Sequence, residues 1–382
     1  MSKIKTITPV HIGSGQKIYT LKKDTYLYSI DKIIEEKVNN SSDSNLQKLL
    51  ASCSYLANKT NPTKIDLYKA LSINDYSIPL STRISNDPAY AKAIESETAD
   101  LFLAQKSLDK LIIPGSAIKG MLNNLFWYHV IDSNDYIKKY FKENINRISK
   151  ILNELDGTIK NMKSFLRITD IIFDSNPRVF TVKRYSSKND CMPVGNHETI
   201  SYDESTNCDF IRSLSETDVK MMDEVKKEIE KTELTEPKRI ILNEYYNYVT
   251  VLLRCSWIYV LNLKEIFPKA NKKYMLEVVN KEMQFVENSS NEKFDHMSLK
   301  NFYQDIIKQL NNDKIIMQIG KMTNFLDKTF MFVLGDEYIK NFGNFKPNIK
   351  KSKPIIESMN LATIGRKYFP LGFIEIELWF LN

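Results

Sequence analysis

Apolar and polar positions alternate through much of the first half of the chain, and that period of two predicts strands. In KIKTITPVHIGSGQKIY, Ile4, Ile7 and Val10 recur loosely between polar residues. A strand is expected there, with Pro9 at its end or edge and a loop holding Gly13 and Gly15 after it. YTLKKDTYLYSIDK predicts a hairpin turning near Lys22 to Asp24, and NNSSDSN at 39–45 a polar loop. Short helices are expected over 46–72, and strands at ADLFLAQ, SFLRITDIIFD (164–174), RVFTVKRYS (178–186) and KIIMQIG. The last strand is GFIEIELWF, where Ile374, Ile376 and Leu378 alternate with Glu375 and Glu377.

Other segments follow the helical period. In IPGSAIKGMLNNLFW (113–127), Ile118, Met121, Leu122, Leu125 and Phe126 share one face, and Ser116 is placed as the N-cap. That assignment puts Lys119 at the third helical position, where the macrodipole already presents positive charge. It also puts Gly120 in the helix interior, at about 1 kcal/mol relative to alanine. The Asn- and Lys-rich segment 132–163 is expected to be helical and exposed, 216–231 a charged helix and 240–263 a mostly buried one. SLKNFYQDIIKQL is amphipathic, with Leu299, Phe302, Ile306, Ile307 and Leu310 on its buried side. SSKNDCMPVGNHETISYDESTNC (186–208) shows neither period and is expected to be a long loop or domain junction. Mixed strands and helices without regular βαβ spacing predict an α+β fold.

At 382 residues the chain exceeds what one core comfortably serves, so two domains are expected, 1–195 and 196–382. With 20 Tyr and 19 Phe, a sizeable core can form. Lys plus Arg exceed Asp plus Glu by 54 to 47, a net charge of +7, which favours a polyanionic partner but is also what a lysine-rich AT-biased genome produces. Cys53, Cys191, Cys208 and Cys255 show no close pairing, which argues against a zinc site or disulfide framework and for a reducing cytoplasm. The N-terminus has no apolar leader pattern, and the most hydrophobic tract, within 240–263, is interrupted by Glu244, Arg254 and several Asn, so no membrane span is expected.

The turn from Gly115 to Gly120 has a physical explanation in anion binding. A helix N-terminus attracts phosphate, Ser116 and Lys119 would then be ligands, and Gly115 and Gly120 would let a nucleic-acid backbone approach the main chain. The plain alternative is a lysine reaching solvent and a glycine making room for a neighbouring strand. In HIGSGQK the amides around Gly13 and Gly15, the Ser14 hydroxyl and Lys17 resemble an anion nest, although a tight glycine turn explains the same residues. Neither segment is a Walker A loop.

His11 is the one reasonable general base for cleaving RNA through a 2′-hydroxyl, and a packed histidine at a strand end is the commoner role. His129 falls on the apolar side of its helix, and His197 and His296 fall in polar segments with no second ligand in suitable spacing, so no metal or other cofactor is expected. Asp223 and Glu224 belong to a solvated charged helix. Basic residues interleaved with aromatics recur as Arg178, Phe180, Lys183, Arg184 and Tyr185; as Lys321 and Lys328; and as Arg366, Lys367, Tyr368 and Phe369. Such surfaces suit single-stranded nucleic acid.

TPVHIGSG, IPGSAIKGMLNNLFW, LRITD at 166–170 and FPLGFIEIEL, in that order, resemble the RAMP proteins of CRISPR systems, and among them the fifth Csm subunit of type III-A effector complexes. The resemblance implies two ferredoxin-like, RRM-like domains with helical insertions. It implies a non-catalytic subunit that caps the complex, holds the 3′ region of the guide RNA (crRNA) and serves guide maturation and antiviral defence. Its implied partners are guide RNA, with target RNA as a second candidate, the backbone subunit of the third Csm type, other Csm subunits and recruited nucleases. By motif, His11 to Gly15 and Ser116 to Gly120 would face RNA, with Arg167 near the same surface. Relatives often carry an arginine soon after the IPGS helix begins, where this chain has MLNNLF. It also lacks an aromatic RNP signature, so backbone and shape, not base sequence, would be read. A metal-independent RAMP-type endoribonuclease using His11 and a protein-interaction scaffold are the competing expectations.

Overall fold

The computed structural model describes residues 2–40, 80–85, 98–144, 147–165, 168–187, 191–208, 216–231, 234–253, 257–292, 295–312, 314–320, 330–335, 358–364 and 367–377, with a few single positions between them. The helices expected over 46–72 and the basic stretch FGNFKPNIKKSK lie outside the described residues.

Among the described residues, three sheets carry the fold. The first joins β1 (Ser2–Thr6), β10 (Ser205–Cys208), β11 (Ile315–Gln318) and β14 (Phe373–Glu377) in the order β10-β1-β14-β11, antiparallel throughout. Its register follows from side-chain chemistry. Ile4 faces Ile376 in the interior, while Lys3 and Lys5 stand opposite Glu377 and Glu375 on the outer side, where opposite charges pair favourably. At the edge strand β11, the buried amide of Asn271 accepts from Ile316 N–H at 3.1 Å and donates to its carbonyl at 2.9 Å. That side chain closes an edge that would otherwise expose unpaired backbone.

The second sheet has seven strands: β2 (Gly13–Lys23), β3 (Tyr26–Ser29), β4 (Thr98–Ala104), β8 (Arg178–Ser186), β9 (Cys191–Thr199), β12 (Ser358–Ile364) and β13 (Lys367–Pro370). Their order is β13-β12-β8-β9-β4-β2-β3, with β4 and β9 parallel and the other neighbours antiparallel. The third is a small antiparallel sheet of β5 (Lys106–Ser107), β6 (Lys110–Ile113) and β7 (Ile171–Phe173).

The described helices are α1 (Ile30–Asn39), α2 (Gly115–Ser133), α3 (Asp135–Glu143), α4 (Ile148–Phe165), α5 (Glu216–Lys231), α6 (Glu236–Leu253), α7 (Trp257–Asn288) and α8 (His296–Asn311). The main core lies where α2, α7 and α8 meet the first sheet: Phe126, Trp127 and Tyr128 pack with Tyr245, Tyr274, Phe330 and Phe332, and Tyr303 with Phe373. The fully buried Tyr303 hydroxyl donates to Glu282 at 2.9 Å.

The hairpin at Lys22 to Asp24 forms as expected, with Asp24 at φ 55, and the amphipathic stretch becomes α8, whose buried face also takes in Tyr303. Four expectations change. The glycine loop HIGSGQK is the irregular start of β2, its register shifting between Gly13 and Lys17. Residues 132–163 are not an exposed face, because α3 and α4 bury Ile137, Phe141, Ile148, Ile151, Leu155 and Ile159. Among its described residues SFLRITDIIFD is strand at Ile171–Phe173, and its Phe165 closes α4. Finally, 186–208 is not one long loop: β9 pairs along β8 and β10 along β1, position 195/196 lies within β9, and the first sheet draws strands from both sides of it.

Candidate nucleic-acid interface

The helix of the IPGSAIKG motif begins two residues earlier than a Ser116 N-cap allows. Gly115 is its first residue and Pro114 its N-cap, without a side-chain capping bond. The capping is done from afar, since Asp170 Oδ1 accepts the Gly115 N–H at 2.9 Å. Ser116 is therefore the second helical residue, exposed, and Lys119 the fifth, half-buried. Gly115 itself is buried, and a Cβ on it would lie 2.1 Å from the Ile168 carbonyl oxygen. Its missing side chain thus serves packing against the LRITD segment and not an approach from solvent. Gly120 is the opposite case: it is exposed, and a Cβ there would meet nothing within 4 Å.

At the start of β2, Gly15 has φ +84 and Ser14 Oγ donates to the Leu103 carbonyl at 3.1 Å while accepting the Gln16 amide at 3.2 Å. One amide of the expected nest is thus already engaged. Lys17 is ion-paired with Asp100 at 2.9 Å. His11 is 2% exposed, its Nδ1–H donating to the Glu198 carbonyl at 2.7 Å and its ring edge set against His197 at 4.6 Å. His197, expected in a polar loop, is a buried strand residue stacked on Phe102 at 4.7 Å, and His296 opens α8 with its ring between the Val286 and Asn291 carbonyls. Burial holds the His129 imidazole below its ordinary pKa, with Asp132 opposing and Lys273 adding to the shift. Glu198, 1% exposed, accepts from the Ala104 amide at 2.9 Å and from Lys106 at 2.6 Å, which locks the His11 region to β4 and β5.

A third glycine completes the arrangement. Because β11 pairs with β14, and β14 with β1, the chain leaving β11 runs past His11, and Gly320 takes φ +118 there. A Cβ on it would lie 2.7 Å from the His11 carbonyl oxygen, so glycine is required by close backbone approach and by φ together. Between these segments opens a cleft of about 570 Å³. Ile12 and Gly13 line one wall, Ser116, Ala117, Gly120, Met121, Asn123 and Asn124 another, and Gln318, Ile319, Gly320 and Thr323 the third. The two glycine motifs, roughly a hundred residues apart in sequence, are thus brought together around one opening.

The other expected residues are placed differently. Ser14, Gly15, Lys17 and Lys119 stand beside the cleft in sequence but do not line it. Lys183 is half-buried in β8, and the exposed Arg184 gives its Nε–H to Asn360 at 3.0 Å; neither lines the cleft. Arg167, Lys321 and Arg366 lie outside the described residues, and Lys367 is placed in β13 by its backbone. Among the described residues no group of His, Cys, Asp and Glu side chains could hold a metal ion, and no helix is long and apolar enough to cross a membrane.

Cleft residues absent from the expectations include Asn123, Asn124, Gln318, Ile319, Gly320 and Thr323, together with Asp170 and Glu198 behind it. Gln318 carried a signal, as the polar member of a strand whose four residues are all buried. Asn123 sits in the six-residue stretch MLNNLF, for which the family resemblance implies a nearby arginine.

A comparison with curated proteins finds no match. Among solved structures, a chain of a Csm–crRNA–target RNA ternary complex from a type III-A CRISPR-Cas system superposes with TM-score 0.58 at 12% identity, over 99% of this chain and 100% of that one. Csm5 of T. onnurineus superposes with TM-score 0.52 at 11% identity, over 98% and 99%. At such identities the likeness is one of fold. The family model of the RAMP superfamily, however, matches residues 3–325, well over half of the sequence and all three walls of the cleft. The chain belongs to the RAMP superfamily.

Proposed function

We propose that this protein is a non-catalytic RNA-binding subunit of a type III-A CRISPR effector ribonucleoprotein, holding the 3′ region of the guide RNA at one end of the assembly. The observation that carries the reading is the meeting of HIGSG, the first turns of α2 and the segment after β11 around one cleft, in a chain of the RAMP family. The fold likeness to a chain of a Csm–crRNA–target RNA complex and to Csm5 supports the same placement, and with it neighbours of the Csm type, the third-type backbone subunit first among them. Cytoplasmic location, recruited nucleases for guide maturation and contact with target RNA belong to this reading. So does a division into two ferredoxin-like units, 1–195 and 196–382.

The burial of His11 favours binding over cleavage. Its Nδ1 is committed to a carbonyl and its ring to His197, whereas a general base must reach the 2′-hydroxyl it deprotonates. The test is fluorescence anisotropy of the full chain with a labelled single-stranded guide-precursor RNA across a salt series, with the RNA sized on a gel afterwards. Expected are intact RNA and an affinity that falls with salt by about 0.7 in log–log slope for each phosphate neutralised. Site-specific cleavage abolished by His11→Ala would establish the endoribonuclease reading. No binding even at low salt would leave the scaffold reading.

A further inference from the structure

Two residues that line the cleft each carry a buried acceptor atom with no hydrogen-bond partner: Gln318 Oε1 and Asn123 Oδ1. Gln318 is 2% exposed, and its other amide atom is fixed, because Nε2 donates to the Leu371 carbonyl at 3.0 Å. That bond settles which atom is left over, an oxygen that can only accept. Buried acceptors without a donor are uncommon and costly in folded proteins. Asn123 lies on α2, one turn past the open Gly120, so the second acceptor comes from the opposite wall of the same cleft.

What complements two acceptors is a donor, and a phosphate has none to give at neutral pH. The described wall also contains no charged side chain to neutralise a phosphate and no aromatic ring on which a base would stack. The nucleotide group that fits such an acceptor is the 2′-hydroxyl of the sugar, which donates as well as accepts and is the group by which proteins distinguish RNA from DNA. The volume, about 570 Å³, falls within the range of small-ligand pockets.

We propose that the cleft seats the ribose of one RNA nucleotide, its 2′-hydroxyl donating to Gln318 Oε1 or Asn123 Oδ1, and that this contact makes the subunit selective for RNA. The proposal rests on the RNA-binding reading above and names the part of the nucleotide that the cleft reads. The glycine at 120 then has its use, since a bare helix surface lets the sugar edge come close.

The experiment compares three single-stranded oligonucleotides of one sequence, as RNA, as DNA and as 2′-O-methyl RNA, by competition anisotropy against the full-length protein and its Asn123→Ala variant. Asn123→Ala trades a half-buried polar residue for the best helix former, so folding is not at risk, and the chemically altered ligands test Gln318 with no variant at all. Expected is about ten-fold weaker binding of DNA and of 2′-O-methyl RNA, the equivalent of about 1.4 kcal/mol, with the preference for RNA reduced in Asn123→Ala. Equal binding of all three polymers by the wild type overturns the ribose assignment and leaves the RNA-binding reading standing. An RNA preference untouched by Asn123→Ala but lost with the 2′-O-methyl ligand supports Gln318 as the acceptor. A preference that follows base identity alone transfers the donor to a base amine and overturns the proposal. No binding of any of the three overturns it together with the reading on which it rests.

Discussion

Two glycines five residues apart in one helix give opposite predictions. Alanine at position 120 gains the helix-interior preference, about 0.5–1 kcal/mol, and its new methyl meets no protein atom within 4 Å. With an unfolding entropy near 2.1 cal/mol/K per residue, 382 residues give about 0.8 kcal/mol/K, so Gly120→Ala should raise the melting temperature by about 1 °C. If an RNA backbone packs against that bare surface, the same methyl intrudes on it, and an overpacking cost of about 1–3 kcal/mol weakens RNA binding by about 5- to 150-fold. At position 115 the methyl would fall 2.1 Å from a backbone oxygen that cannot swing aside. Gly115→Ala should therefore destabilise by the upper end of that overpacking range or more and loosen the start of α2. Paired thermal scans, urea titrations and RNA anisotropy on both variants measure all of this. A lower melting point for Gly120→Ala would refute the claim of open space, and unchanged RNA affinity would refute the claim that a ligand uses it.

Asp170→Ala removes the acceptor of the Gly115 N–H and should cost about 1 kcal/mol in a urea titration, with no change in the salt slope of RNA binding. Glu198→Ala takes a carboxylate from the Ala104 amide and Lys106; because Lys106 is one-third exposed and can be hydrated, about 3 kcal/mol, the low end for a broken buried pair, is expected by the same assay. His129 is kept neutral by burial, so the unfolded chain binds the extra proton as pH falls below about 6.5. Stability should decline on that side and level off once the folded imidazole also titrates, and His129→Gln should flatten the decline in urea midpoints between pH 7 and 5.

What the sequence made legible follows from which faces are apolar. Ile374 and Ile376 face the core and Glu375 and Glu377 the outside, so β14 reads directly as a period of two, and α8 as a helical stripe. β9 could not be read that way. Its buried end is His197, Glu198 and Thr199, polar residues held by a ring stack on Phe102, an ion pair with Lys106 and a bond to the Arg178 carbonyl respectively. A strand buried through polar partners leaves no apolar rhythm, and so it looked like a loop.

The candidate site divides along the same line. The glycine motifs could be picked out because glycine departs from local propensity, but why each is glycine depends on neighbours distant in sequence. Ile168 excludes a side chain at 115, His11 excludes one at 320, and nothing excludes one at 120. The first two are accounted for by the fold alone. The third is not, and neither is a buried Gln318 with one amide atom satisfied and the other without a partner. Both residues line the same cleft, and a fold that accounts for the neighbouring glycines while leaving these two residues unaccounted for gives that cleft the stronger claim to function.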